Sequence, residues 1–196
     1  MIFLKIKQIL KNFLFWQPKK DYLTVFDHSV FGEINLILCN YSIWLFFFIT
    51  SYFLIRHDIN FFSRLFFATL IAEIIEKYLK KQKYWIRPMF NRRSTAPVGL
   101  VNNWYYSGSF PSGHTIKTVF FLLFIIFSGA FSIPLFLIIT IPLLTFRVLV
   151  GFHYPIDILG GIIFGILIWV VTKNIVFPDA LNNIIQTIFN FVFFIK

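Results

Sequence analysis

The feature that most constrains this chain is a succession of long apolar runs, at residues 34–55, 61–79, 112–127, 134–150 and 155–171. Several reach the roughly 20 apolar residues that cross a bilayer core as a helix. Lipid offers no hydrogen-bond partners, so a helix, which satisfies its own backbone, is the form such runs predict. Composition agrees with this reading. Of the 196 residues, 58% are hydrophobic and 29 are Phe, and mean hydropathy is +0.78; soluble domains are less apolar and far less aromatic. The predicted fold class is an all-α integral membrane protein, a single domain over 1–196. It is read as a bundle of five to six transmembrane helices with an N-terminal amphipathic helix.

The two ends read differently from the middle. In "MIFLKIKQILKNFLFW", Ile2, Ile6, Ile9, Leu10 and Phe13 share one helical face, and Lys5, Lys7, Gln8, Lys11 and Asn12 fall mostly on the other. That periodicity predicts an interfacial amphipathic segment over residues 1–20. The same lysines interrupt any signal-peptide core. The tail, residues 178–196, is expected to be an interfacial helix or a short sixth span, with Asp179 as its N-cap. Between them, residues 30–172 form the predicted core. Pro142 is expected to bend the fourth span, and Gly161 and Gly165 are spaced for close helix contact.

Charge narrows the partners. The net charge is +10, from 18 Lys and Arg against 8 Asp and Glu. In a soluble domain that balance points to nucleic acid. Here the cations gather at the ends of apolar runs, so anionic membrane lipids are the expected partners and nucleic acid is not. The single Cys39 excludes an internal disulfide.

Span parity then brings distant residues together. The second run ends at a polar loop and the third starts from it; "SGAFSIP" turns the third back into the fourth. The end of the fourth and the start of the fifth therefore return to the side of the polar loop. Lys80, Arg87, Ser112, His114, Arg147, His153 and Asp157 are all placed at one membrane face by this count.

The polar clusters at that face are "KKQKYWIRP", "PSGH" and "FRVLVGFHYPID". Charged groups at membrane depth are costly and usually functional. These clusters supply fixed cations, two imidazoles and one carboxylate, with no cysteine cluster or carboxylate cage, so no metal is expected. Lys80, Arg87 and Arg147 would repel a divalent cation and attract a phosphate. Pro111 fits the first position of a helix. The amides of Ser112, Gly113 and His114 would then face an anion at the helix N-terminus, with Gly113 allowing close approach. Ordinary capping by Ser112 is the competing reading. Farther on, Tyr154 precedes Pro155 and should be extended, leaving His153 outside the fifth helix with Asp157 in its first turn. A carboxylate on one imidazole nitrogen fixes the tautomer and frees the other nitrogen. An interfacial His with a helix-start Asp is the alternative. Glu73 and Glu76 are read as structural partners of Lys77 and Lys80. Arg64 and Lys117 are read as snorkelling cations, His28 and His57 as surface histidines, and Trp104, Tyr105 and Tyr106 as an aromatic belt.

Lys80 with Arg87-Pro88, then Pro111-Ser112-Gly113-His114, then Phe146-Arg147 with His153 and Asp157, resembles the type 2 phosphatidic acid phosphatases. Their pattern is K-x6-R-P, P-S-G-H and S-R-x5-H-x3-D. The resemblance covers about residues 30 to 172. Phe146 departs from the family's Ser, and "RPMFNRR" lacks a second Pro. The resemblance implies metal-independent hydrolysis of a phosphate ester or anhydride, with no cofactor. By it, His153 attacks phosphorus and carries a phosphohistidine, Asp157 orients it, and His114 serves as acid and then base. Lys80, Arg87, Ser112, Gly113 and Arg147 hold the phosphate oxygens. Among its members the chain is similar to small bacterial enzymes acting on undecaprenyl diphosphate. Phosphatidylglycerophosphate, phosphatidate, lipid A phosphate and phosphoryl transfer to another acceptor are the alternatives; a proton-coupled transporter is the alternative of another class. The positive-inside rule puts the basic face in the cytoplasm, whereas the resemblance implies a bacterial inner membrane with the site facing the periplasm or exterior.

Overall fold

A computed structural model describes residues 2–19, 22, 30–91 and 106–194. The expectations for His28, Trp104 and Tyr105 lie outside the described residues. Among the described residues the fold is all helical. The helices are α1 (Ile2–Leu14), α2 (Val30–His57), α3 (Ile59–Lys81), α4 (Gly113–Ser128), α5 (Ile133–Leu149), α6 (Pro155–Thr172) and α7 (Asp179–Val192). A short 3-10 turn, Pro88–Asn91, follows α3.

Local chemistry explains where the helices start and stop. Asp58 caps α3 by accepting from the Asn60 amide at 2.7 Å, which makes the "RHDIN" corner sharp. Gly129 closes α4 in the left-handed conformation, φ 66°, where a side chain would be strained. α5 continues through Pro142 as one helix. Asp179 does not cap α7: Pro178 occupies that position, and Asp179 is the first helical residue. An acid there still faces the positive end of the helix dipole.

The core is built from aromatic rings. Phe62 of α3, Phe120, Phe121 and Phe124 of α4 and Phe136 of α5 are all buried. α7 docks on the N-terminal half of α3, where Phe189 meets Phe62 with ring centroids 4.6 Å apart. Asn182 fixes that contact, accepting from Ser63 at 2.7 Å and donating to Asn60 at 2.9 Å. The outer faces stay apolar, with Leu45, Ile74, Ile138, Ile163, Leu167 and Val171 exposed.

Among the described residues, α6 is long and apolar enough to cross a membrane, while α4 and α5 are apolar but shorter. α3 is longer than α6 and carries Arg64, Glu73, Glu76 and Lys77, so its apolar surface is interrupted. The tightest helix pair is α4 against α6. A Cβ on Gly161 would stand 2.6 Å from the Thr115 Cβ, and one on Gly165 would stand 2.7 Å from the Val119 Cβ. The predicted close contact at these glycines is present. It locks the start of α6 against the start of α4, which positions everything that follows.

Candidate active site

Main-chain bonds gather three distant segments at one end of the bundle. The Gly108 amide donates to the Lys80 carbonyl at 3.2 Å, Ser109 to Trp85 at 3.2 Å and Met89 to Gly151 at 2.9 Å. The Ser112 amide donates to the Asp157 carbonyl at 3.0 Å. The juxtaposition expected from span parity is thus built by the backbone itself.

Asp157 is at its centre. Tyr154 is extended, with φ −83° and ψ 160°, and α6 begins at Pro155, as the X-Pro sequence predicts. This puts the buried Asp157 carboxylate back over the helix start. Its Oδ2 accepts from the Tyr154 amide at 2.8 Å, and its Oδ1 accepts from the Trp85 indole at 2.8 Å. Oδ2 also lies 3.5 Å from His153 Nδ1, an ionic distance somewhat longer than a hydrogen bond.

His153 is 1% exposed, and among the described residues neither ring nitrogen has a hydrogen-bond partner. Buried polar atoms without partners are rare and costly. Burial, then the cations Arg87, Arg147 and Lys80, hold its pKa well below the ordinary histidine value. The imidazole is therefore neutral at pH 7, as a nucleophile must be.

The cations are anchored individually. Arg87 is wholly buried and donates to the Phe152 carbonyl at 3.1 Å, the Ser107 hydroxyl at 3.1 Å and the Gly108 carbonyl at 3.3 Å. It ties the loop before α4 to the residue next to His153. Arg147 is also buried; its Nη1 lies 3.4 Å from His114 Nε2, and its guanidinium sits 5.2 Å from the Phe152 ring. A guanidinium only donates, so His114 offers it a lone pair in this arrangement. Lys80 donates to the Glu76 carboxylate. Lys81 and Lys83 are exposed, which leaves Lys80 as the lysine of its cluster turned inward.

At the N-terminus of α4, capping by Ser112 is what the structure contains. The Ser112 hydroxyl accepts from the Thr115 amide at 3.4 Å and the Thr115 hydroxyl at 2.9 Å. Its amide serves the Asp157 carbonyl, so it is not one of the amides left to face an anion. Pro111 stands before the cap instead of in the first helical position. The Cβ position of Gly113 is filled by the Glu76 carboxylate; that glycine admits an anionic group, and here the group is the chain's own.

Lys80, Arg87, Ser112, Gly113, His114, Arg147, His153 and Asp157 all come to this end of the fold. The snorkelling role does not hold for Lys117. Lys117 is buried and pairs with Glu73 at 2.6 Å and Glu76 at 2.9 Å, since it points into the bundle beneath the helix start. Arg64 donates to the Ile175 carbonyl at 2.8 Å, satisfying backbone beyond the end of α6. Glu76 does pair with Lys80 as expected, whereas Glu73 pairs across to α4. His57 is exposed, and so is Tyr106. Sequence reasoning passed over Trp85. The signal was an indole between the motif's Lys and Arg, since a buried indole nitrogen needs an acceptor. For Lys117 the signal was a cation one turn inside an apolar helix.

The family model described as the PAP2 superfamily matches residues 61–180. No curated protein and no solved structure matches the chain. The matched span is more than half of the sequence and runs from the start of α3 past the end of α6, leaving out α1 and α2. A match of that extent establishes the family: the chain belongs to the PAP2 superfamily, the type 2 phosphatidic acid phosphatases, and so to the phosphatases by reaction class.

Proposed function

We propose that this protein is a membrane lipid phosphatase, acting on undecaprenyl diphosphate or a similar lipid phosphate through a phosphohistidine and without a metal. The observation that carries the reading is His153, a buried neutral imidazole with no hydrogen-bond partner among the described residues, set beside Asp157 and among Arg87, Arg147 and Lys80.

Asp157 lies on the Nδ1 side of His153, so Nε2 is the atom that attacks. As the P–Nε2 bond forms, the bond from phosphorus to the leaving oxygen breaks (the bridging oxygen of a diphosphate, the ester oxygen of a monophosphate), and His114 supplies the proton that this oxygen takes up. Water then attacks phosphorus, the P–N bond breaks, and His114 accepts the water's proton. His114 must enter the cycle protonated; a phosphate seated beside Arg147 draws the guanidinium to its own oxygens and favours the imidazolium. The transition state spreads charge over three equatorial oxygens, and positioned donors stabilise it. Lys80, Arg87, Arg147, the Gly113 backbone and the Ser112 hydroxyl proton are those donors.

The exposed apolar faces of α2 to α6 support a bundle immersed in lipid, with five spans over 30–172 and the whole chain one domain. α1 and α7 are the two interfacial segments. Sidedness follows the resemblance, with the site outside the cytoplasm of a bacterial inner membrane, because the basic residues on that face are explained by phosphate.

Purified protein should release inorganic phosphate from undecaprenyl diphosphate, phosphatidylglycerophosphate, phosphatidate or lipid A phosphate with EDTA present. Loss of all release in EDTA overturns the metal-free mechanism. Full activity in His153→Ala on every lipid overturns the enzyme reading.

A further inference from the structure

The carboxylate of Glu76 lies where the α4 N-terminus comes closest to α3, in the space a Cβ on Gly113 would occupy. One of its oxygens accepts from Lys80, and the other accepts from Lys117 at 2.9 Å. Lys80 and Gly113 are two of the groups assigned above to the phosphate oxygens. An acid reaching from the same helix as Lys80, one turn earlier, is thus seated on part of the phosphate's own binding set.

We infer that Glu76 is a tethered competitor for the phosphate seat, a carboxylate that the substrate's phosphate displaces and that returns as inorganic phosphate leaves. The inference rests on the reading of Lys80 and Gly113 as phosphate-binding groups. Three features support it. The contact is with Gly113, whose lack of a side chain is what admits Glu76 at all. A carboxylate and a phosphate are both oxyanions, and both satisfy an ammonium donor. Glu76 also has somewhere to go: Lys117 holds it from the side of α4 and is itself held by Glu73 at 2.6 Å. When phosphate takes Lys80, Glu76 stays paired with Lys117, so no buried charge is left alone.

The exchange has a consequence for substrate choice. A single carboxylate charge opposes every entering anion, so a dianionic terminal phosphate displaces it more readily than a monoanionic phosphodiester does. It also bears on turnover, because the product is the same kind of anion as the group displaced. A cationic pocket with no competitor would retain inorganic phosphate.

The test is binding of inorganic phosphate to the full chain in detergent, followed by calorimetry or phosphorus NMR at pH 7. Glu76→Gln keeps the shape and removes the charge, and should tighten phosphate binding at least fivefold. Glu76→Asp keeps the charge for Lys117 but shortens the reach to Gly113, and should tighten it by a smaller factor. Glu73→Gln, which removes the other carboxylate partner of Lys117 without touching Gly113 or Lys80, should change it less than twofold. Unchanged or weaker binding in Glu76→Gln overturns the inference, as does equal tightening in Glu73→Gln, which would mark a net-charge effect. If Glu76→Gln fails to fold, Glu76→Asp decides by the same sign. Lys80→Met separates the two levels. If it leaves phosphate binding unchanged, the phosphate-site reading itself fails; if it weakens binding while the Glu76 variants gain nothing, only the competitor role falls.

Discussion

The indole nitrogen of Trp85 donates to Oδ1 of Asp157 at 2.8 Å, joining the loop after α3 to the first turn of α6. With the Tyr154 amide on Oδ2 at 2.8 Å, the carboxylate is gripped from both sides and its edge is turned toward His153. The Phe15 ring, just beyond α1, packs against Trp85 and Tyr154 with centroids 5.3 Å away in each case. The carboxylate beside His153, the residue proposed above as nucleophile, is therefore held in place by groups outside the proposed phosphate-binding set.

Trp85→Phe keeps the ring and removes the donor. It should lower kcat by about tenfold, the usual cost of losing an outer-shell partner, with KM nearly unchanged because no phosphate contact is lost. Steady-state phosphate release measures both. A rise in KM at constant kcat would place Trp85 in substrate binding instead.

His153→Gln should abolish turnover, by about a thousandfold or more, because removal of the nucleophile leaves only the binding groups. Rapid quenching under alkaline conditions with labelled substrate should trap a phosphoprotein in the wild type and none in His153→Gln. Label of equal amount in both would exclude His153 as the phosphate carrier.

Gly165→Val forces a Cβ to within 2.7 Å of the Val119 Cβ and 2.8 Å of the Ile116 carbonyl. Overpacking of this kind costs about 1–3 kcal/mol, and thermal unfolding in detergent should show the loss. Gly161→Val should be comparably destabilising and should also depress activity, since its Cβ meets the Ser112 carbonyl at 2.9 Å, at the cap of α4.

The depressed pKa of His153 makes stability pH-dependent with a definite sign. In the unfolded chain the imidazole titrates near its ordinary value of about 6.5; in the fold it stays neutral to lower pH. Below that value the unfolded state binds a proton that the native state refuses, so stability falls as pH falls. The slope from this one group approaches about 1.4 kcal/mol per pH unit. Melting temperatures taken from pH 7 down to pH 5 should drop more steeply for the wild type than for His153→Gln. Parallel curves would mean that His153 protonates as freely in the fold as in the unfolded chain.

What could be read without coordinates is what depends on neighbours along the chain. Apolar runs, the X-Pro step at Tyr154 and the "SGAFSIP" turn are local devices, and the helices begin and end close to them. Span parity extended that to one long-range statement, that the three polar clusters share a face, because a helix crossing a slab can only end on one side or the other. The family was legible from the spacing of the three motifs, which is likewise a property of the sequence alone.

Everything that depends on how one helix is rotated against another was decided by the tertiary structure. Periodicity shows that Lys117 is a cation in an apolar helix; only the approach of α4 to α3 pairs it with Glu73 and Glu76. Spacing shows that Glu76 can reach Lys80; only the packing of Gly113 brings the carboxylate into the place of a missing side chain. The bond from Trp85 to Asp157 spans 72 positions, and nothing within either segment specifies the other. Pairings of this kind depend on the interhelical distance, and in this fold that distance is set by close approaches such as those of Gly161 and Gly165 to α4.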